Sequence, residues 1–174
     1  AGGIDTNTSY DYKEETAIGT AYKISVKGLK GGHSGMDIHL QRGNANKIMN
    51  RLIWNCEEFD LRISEINGGS LRNAIPRESF AAITVKDDSY LKEFNKRVAE
   101  VKAEFAVSDG NLTIEIESAE LPEKVMSKED VSKITNAIYA VHNGVYRMSM
   151  TIEDLVETSS SLARVIIKNG EFIT

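Results

Sequence analysis

Between residues 45 and 56 the apolar side chains keep helical time, and on either side of them they keep the time of a strand. Ala45, Ile48, Met49, Leu52, Ile53 and Cys56 fall at i, i+3, i+4, i+7, i+8 and i+11, one apolar stripe about three turns long. Before it, Ile18, Thr20, Tyr22, Ile24 and Val26 alternate with Gly19, Ala21, Lys23 and Ser25, the period of two expected of a half-buried strand. After it, residues 61–66 and 76–86 read as two further extended runs, the second with Ala81, Ile83 and Val85 on one face. Asp87, Asp88 and Ser89 offer N-cap oxygens for a second helix whose Leu91, Phe94, Val98, Val101 and Phe105 repeat at three and four. Asp109-Gly110 turns the chain, and Leu112, Ile114 and Ile116 alternate with Thr113, Glu115 and Glu117 in a fourth strand.

The order strand, helix, strand, strand, helix, strand is that of an α+β, ferredoxin-like βαββαβ fold: a four-stranded antiparallel sheet with both helices on one face. Such a sheet leaves its other face and at least one edge strand uncovered, and an open edge invites pairing with a second chain. Beyond Pro122 lies an appended segment. Ser127 caps a third helix with Glu129 and Asp130 in its first turn and Val131, Ile134, Ile138 and Val141 as its stripe; Asn143-Gly144 ends it, and residues 145–150 are extended. Residues 163–168 are apolar and β-branched, Asn169-Gly170 is a strong hairpin turn, and residues 171–174 begin a return strand. The polar residues 5–15 read as a linker or a mobile terminus.

Composition narrows the function classes. A net charge of -5 and a pI near 5.3, with no cluster of Lys and Arg, argue against a nucleic-acid surface. No run approaches the eighteen or so apolar residues of a membrane span, and the first residues are not a signal peptide. Cys56 is the single cysteine, which excludes an internal disulfide and makes a cytoplasmic protein the default. Its place on the apolar stripe marks it as a buried hydrophobe rather than a catalytic thiol.

Chemistry concentrates in Lys30-Gly31-Gly32-His33-Ser34-Gly35-Met36-Asp37-Ile38-His39, where three glycines around His33 allow a tight loop that presents an imidazole close to a ligand. An ordinary surface histidine on a glycine turn would look the same. Gly31-Gly32-His33-Ser34-Gly35, then Ile38-His39 and Gly43-Asn44-Ala45-Asn46-Lys47, resembles the zinc-dependent dipeptidase family, and closely the aminoacyl-histidine dipeptidases, also called cytosol non-specific dipeptidases, relatives of carnosinase. Asn67-Gly68-Gly69-Ser70-Leu71-Arg72-Asn73-Ala74-Ile75-Pro76, Asn143-Gly144-Val145-Tyr146-Arg147-Met148-Ser149 and Val156-Glu157-Thr158-Ser159 fit the same family, so the resemblance covers nearly the whole chain.

That family holds two zinc ions with His, Asp and Glu ligands, one pair spaced as His-x-Asp. Here the three histidines are His33, His39 and His142, and none opens such a pair. The resemblance therefore implies the family's lid and dimerisation domain without its catalytic domain: residues 1–15 a linker, 16–120 the ferredoxin-like lid, 121–155 the appended helix and strand, and 156–174 the start of a return to the catalytic domain. A first residue other than Met and a hairpin that stops early point the same way. The implied activity is hydrolysis of Xaa-His dipeptides by the parent enzyme, a homodimer joined through a lid edge strand, with this segment inert alone and holding no metal.

The resemblance implies that His33 reaches the active site of the opposite subunit. When hydroxide attacks a peptide carbonyl, negative charge builds on oxygen, and a donor about 3 Å away stabilises the transition state more than the ground state. By the same resemblance Asn73 holds the substrate backbone, although from the residues alone it is equally a turn residue. Arg147 is a candidate bidentate clamp for a substrate carboxylate, or a solvated arginine. His39 caps the following helix or supports the loop, and His142 sits where it would cap a helix C-terminus. Glu157 is assigned no catalytic role. Two other readings stand beside this one: a ferredoxin-like regulatory module that binds an amino acid at a dimer interface, and a purely structural interaction domain.

Overall fold

The computed structural model describes residues 2–174; residue 1, the first of the expected linker 1–15, lies outside the described residues. Thirteen strands and three α-helices occur among the described residues. In chain order they are β1 (Ser9–Asp11), β2 (Glu14–Thr16), β3 (Thr20–Lys27), β4 (Gly32–His33), α1 (Ala45–Ile53), β5 (Arg62–Gly68), β6 (Ala74–Ile75), β7 (Ser79–Val85), α2 (Tyr90–Glu104), β8 (Thr113–Ser118), β9 (Lys124–Met126), α3 (Lys128–Ala140), β10 (Gly144–Met148), β11 (Val156–Ser160), β12 (Val165–Lys168) and β13 (Glu171–Ile173).

The expected ferredoxin-like core is present. Its strands β5, β7, β3 and β8 lie side by side and antiparallel, with Ile24 opposite Ala81 on one neighbour and Ile116 on the other. The sheet then continues on the β5 side through β12, β13 and β1 to seven strands. The Asn169-Gly170 turn forms as read, with φ of 51° and 81°, and pairs Lys168 with Glu171. The polar stretch over residues 5–15 carries β1 and most of β2: β1 completes the sheet against β13, and β2 pairs with β9. All six residues of β1 and β2 are exposed, so no apolar alternation marks them.

One face of the sheet is buried by helices. Ile48, Met49, Leu52 and Ile53 of α1, Tyr90, Phe94 and Val101 of α2, and Val131, Ile134 and Ile138 of α3 join Ile24, Val26, Ile63, Ile83 and Ile167 in a single core. Burying side chains of this size contributes roughly 1.5–3 kcal/mol each against the entropy of ordering the chain. The helix α1 ends earlier than its stripe. Trp54 is extended, Asn55 has φ of 55°, and Cys56 is buried beyond the last turn, where burial pushes its thiol up to about 11. The start of β3 is also later than the alternation suggested: Gly19 has φ of 87°, and Ile18 is exposed.

Polar contacts tie the helices together. The Tyr90 hydroxyl donates to the Leu52 carbonyl at 3.0 Å, joining α2 to the end of α1. Trp54 stacks on Tyr139 with ring centroids 4.2 Å apart, and its Nε1 donates to Asn136 Oδ1 at 2.7 Å, so it holds α1 to α3. Ser127 caps α3 as expected, accepting from the Asp130 amide at 3.2 Å. Lys47, not His142, closes the other end: its Nζ donates to the carbonyls of Ile138, Tyr139 and Val141 at 2.8, 2.9 and 2.8 Å. A cation there complements the negative end of the helix dipole. His142 packs instead on Tyr146, with ring centroids 3.9 Å apart.

Candidate active-site loop

The connection from β3 to α1 leaves the sheet at Lys27, carries His33 at its tip and returns at Asn44. Asn44 is the α1 N-cap: its Oδ1 accepts from the amides of Asn46 and Lys47 at 3.0 and 3.3 Å. That contact decides between the two readings of His39, which does not cap the helix. His39 lies in a 3-10 turn over Ile38–Leu40, with its Nδ1 buried. Gly31 and Gly32 have φ of 61° and 144°, and a Cβ on Gly32 would meet the Asp37 side chain at 2.7 Å. Only glycine turns the chain here and leaves room for that carboxylate.

The two glycine-rich stretches of the sequence come together. β4 pairs with β6, with Gly32 opposite Ile75 and His33 opposite Ala74, and the Ser34 amide donates to the Asn73 carbonyl at 2.9 Å. The exposed carboxamide of Asn73 thus stands one register step from His33. Asp37 holds the histidine from the other side: its Oδ2 accepts from the His33 amide at 2.7 Å, and its own amide donates to the His33 carbonyl at 2.8 Å.

The imidazole itself is oriented by the backbone. Its Nδ1 accepts from the amides of Gly35 and Met36 at 3.0 and 3.2 Å, while the side chain remains exposed. Two N–H groups aimed at Nδ1 require a lone pair there, so the ring proton sits on Nε2. The loop therefore presents a single N–H donor outward. This suits a group that must donate to a developing oxyanion.

Arg147 lies on the β10–β11 ribbon, which touches the Ile38–Leu40 turn that follows His33 in the chain. Its guanidinium Nε is 2.9 Å from Glu157 Oε2, and both side chains are about half exposed. The Arg147 side chain is thus already engaged with a carboxylate on the neighbouring strand. Asn143, at the base of the ribbon, ties it to α1: its Oδ1 accepts from Asn44 Nδ2 at 2.7 Å and from the Leu162 amide at 3.1 Å. A concavity of about 460 Å³ on the open face of the sheet, lined by Lys23, Asn67, Phe80 and Glu117 among others, includes none of His33, Asn73 and Arg147.

Among the described residues no group of three or more His, Cys, Asp or Glu side chains is placed to hold a metal ion, and His33 Nδ1 is already occupied by two amides. The described residues by themselves do not make up a metal centre. No helix among the described residues is long and apolar enough to cross a membrane.

The family model for a peptidase dimerisation domain matches residues 24–110, the span from β3 through the turn after α2. The chain belongs to the peptidase dimerisation domain family. The dimerisation domain is 40% identical over 176 residues to the cytosol non-specific dipeptidase of Escherichia coli (strain K12), covering 98% of this chain and 36% of that protein. It superposes on the crystal structure of aminoacylhistidine dipeptidase from Vibrio alginolyticus with a TM-score of 0.90 and 34% identity, over 96% of this chain and 35% of that one. The dimerisation domain therefore spans about a third of the length of the relatives it matches, and the resemblance read from the His33, Asn73 and Arg147 stretches is borne out.

One polar residue that positions the loop escaped the sequence reading. Asp109, in sequence half of an Asp-Gly turn, is 1% exposed and reaches from the turn after α2 to both ends of the His33 loop. No local signal distinguishes such an aspartate from a turn residue, because its partners lie far away in the chain.

Proposed function

We propose that this chain is the lid and dimerisation domain of a cytoplasmic, homodimeric metallo-dipeptidase acting on Xaa-His dipeptides, and that it lends His33 to the active site of the opposite subunit. The observation that carries the reading is the pair of amides, Gly35 and Met36, on His33 Nδ1. They fix the tautomer and leave Nε2–H as a rigid, exposed donor. Such a donor, about 3 Å from the carbonyl oxygen of a dipeptide under attack, strengthens its hydrogen bond as charge grows. Asn73, one register step away, is the group assigned to the substrate backbone. Arg147 would bind the substrate carboxylate by exchanging it for Glu157.

The two zinc ions that the resemblance implies would be held by residues outside this chain and would supply the Lewis acidity of the reaction. What the dimerisation domain contributes is position. Of the two strands that end the sheet, β8 offers six residues and β1 three, so a second sheet would add most readily along β8. The fragment alone would hydrolyse nothing.

The test is complementation in the full-length enzyme. His33→Ala should lower kcat by about a hundred- to a thousand-fold with little change in KM, the signature of a contact made in the transition state. Mixed dimers of His33→Ala subunits with subunits carrying an inactivated catalytic domain should recover activity, because each dimer then holds one complete composite site. Absence of recovery in verified mixed dimers would place the histidine in its own subunit's site.

A further inference from the structure

We infer that Asp109 is a positioning residue for His33, acting through the two ends of the loop rather than through the ring; the inference rests on the role proposed for His33. The carboxylate is buried in the turn between α2 and β8. Its Oδ1 accepts from the Lys30 amide at 2.8 Å, and its Oδ2 accepts from the Gly43 amide at 2.8 Å and from the Ser108 hydroxyl at 2.9 Å. Lys30 is the last residue before Gly31, and Gly43 the last before the α1 N-cap Asn44. One side chain thus closes the base of the whole excursion that carries His33.

The excursion needs such a closure. Between Lys30 and Gly43 the regular structure amounts to the two residues of β4 and the three of the Ile38–Leu40 turn, and Met36 and Leu40 face solvent. Apart from Ile38 little apolar burial holds these residues, so beyond the tip's own bonds to Asp37 and β6 its geometry depends on where the two ends are fixed. A carboxylate is the right group. It accepts only, and its two oxygens take one end of the loop each, whereas a carboxamide has a single acceptor and would turn an NH2 toward one of the two amides. The buried charge is compensated by three donors, which keeps it from being a liability in the fold.

The consequence is a coupling between two residues with no contact between their side chains. In the full-length enzyme, Asp109→Asn should lower kcat by about ten- to a hundred-fold, the loss expected when a catalytic donor is displaced by about an ångström, with KM changed by no more than about two-fold. In the His33→Ala background the same substitution should change kcat by no more than about two-fold, since the misplaced group is already gone. A multiplicative loss, the same factor in both backgrounds, would overturn the inference, and so would a normal kcat in folded Asp109→Asn. If His33→Ala by itself leaves kcat intact, the proposed role of His33 fails first and the positioning role goes with it. Should Asp109→Asn not fold, Ser108→Ala removes one of the three donors: a loss of about two- to five-fold confined to the His33-containing enzyme is expected, and an equal loss in both backgrounds overturns the inference.

Discussion

The amide of Ser34 donates to the carbonyl of Asn73 at 2.9 Å, and this bond, with the pairing of His33 and Ala74, joins two distant glycine-rich stretches into one candidate site. Neither stretch has an apolar face of its own. What each supplies is a short run of backbone free to pair, and the sheet beneath brings the two within reach.

Asp37 is the inner clamp of that site. Its carboxylate accepts from the His33 amide at 2.7 Å, so on the role proposed for His33 Asp37→Ala in the full-length protein should release the loop and lower kcat by about ten- to a hundred-fold. Asp37→Asn keeps one acceptor oxygen and should restore most of the loss. Steady-state kinetics on the pair of variants checks this, and equal loss in both would show that charge rather than hydrogen bonding matters.

Lys47 joins α1 to the end of α3. Its ammonium is partly buried, which pulls its pKa down, and it is held by three carbonyls. Lys47→Met keeps the stem and removes the donors, leaving those carbonyls to water. Urea titration should show a loss of about 1–2 kcal/mol. An unchanged midpoint would mean that water caps the helix equally well.

Asp130 should make the protein sensitive to acid. Burial raises its pKa, but donors from the Lys13 amide, Ser127 and Tyr10 outweigh burial and leave it lowered. A carboxyl depressed in the folded state adds stability above its unfolded value of about 3.9, and that stability is lost as pH falls through the folded value. Asp130→Asn should therefore be less stable than the parent near neutrality, with the gap closing below about pH 4. Unfolding midpoints measured across that range test the sign.

Cys56 should resist alkylation in the native protein. Burial raises its thiol to about 11, so almost no thiolate exists near neutral pH. Iodoacetamide at about pH 8 should label it only when urea opens the fold. Fast labelling of the native protein would show that the segment after α1 opens on its own.

The sequence by itself determined the periodic elements. The stripe of α1, the alternation of β3, β7 and β8, the Ser127 cap and the Asn169-Gly170 turn are all written within a few residues of where they act, and each formed where its pattern stood, within a few residues at the ends. The glycine motifs around His33 and Asn73 also carried the family. Tertiary structure alone decided the rest. The strands β1 and β2 bury nothing and so leave no pattern; they exist because β13 and β9 offer them partners. Asp109 on Lys30 and Gly43, Lys47 on the end of α3, and Ser34 on Asn73 are hydrogen bonds between parts of the chain that no window of sequence contains at once. Short-range periodicity selects which face is buried, whereas a buried polar group finds its partner only after packing has brought the two together.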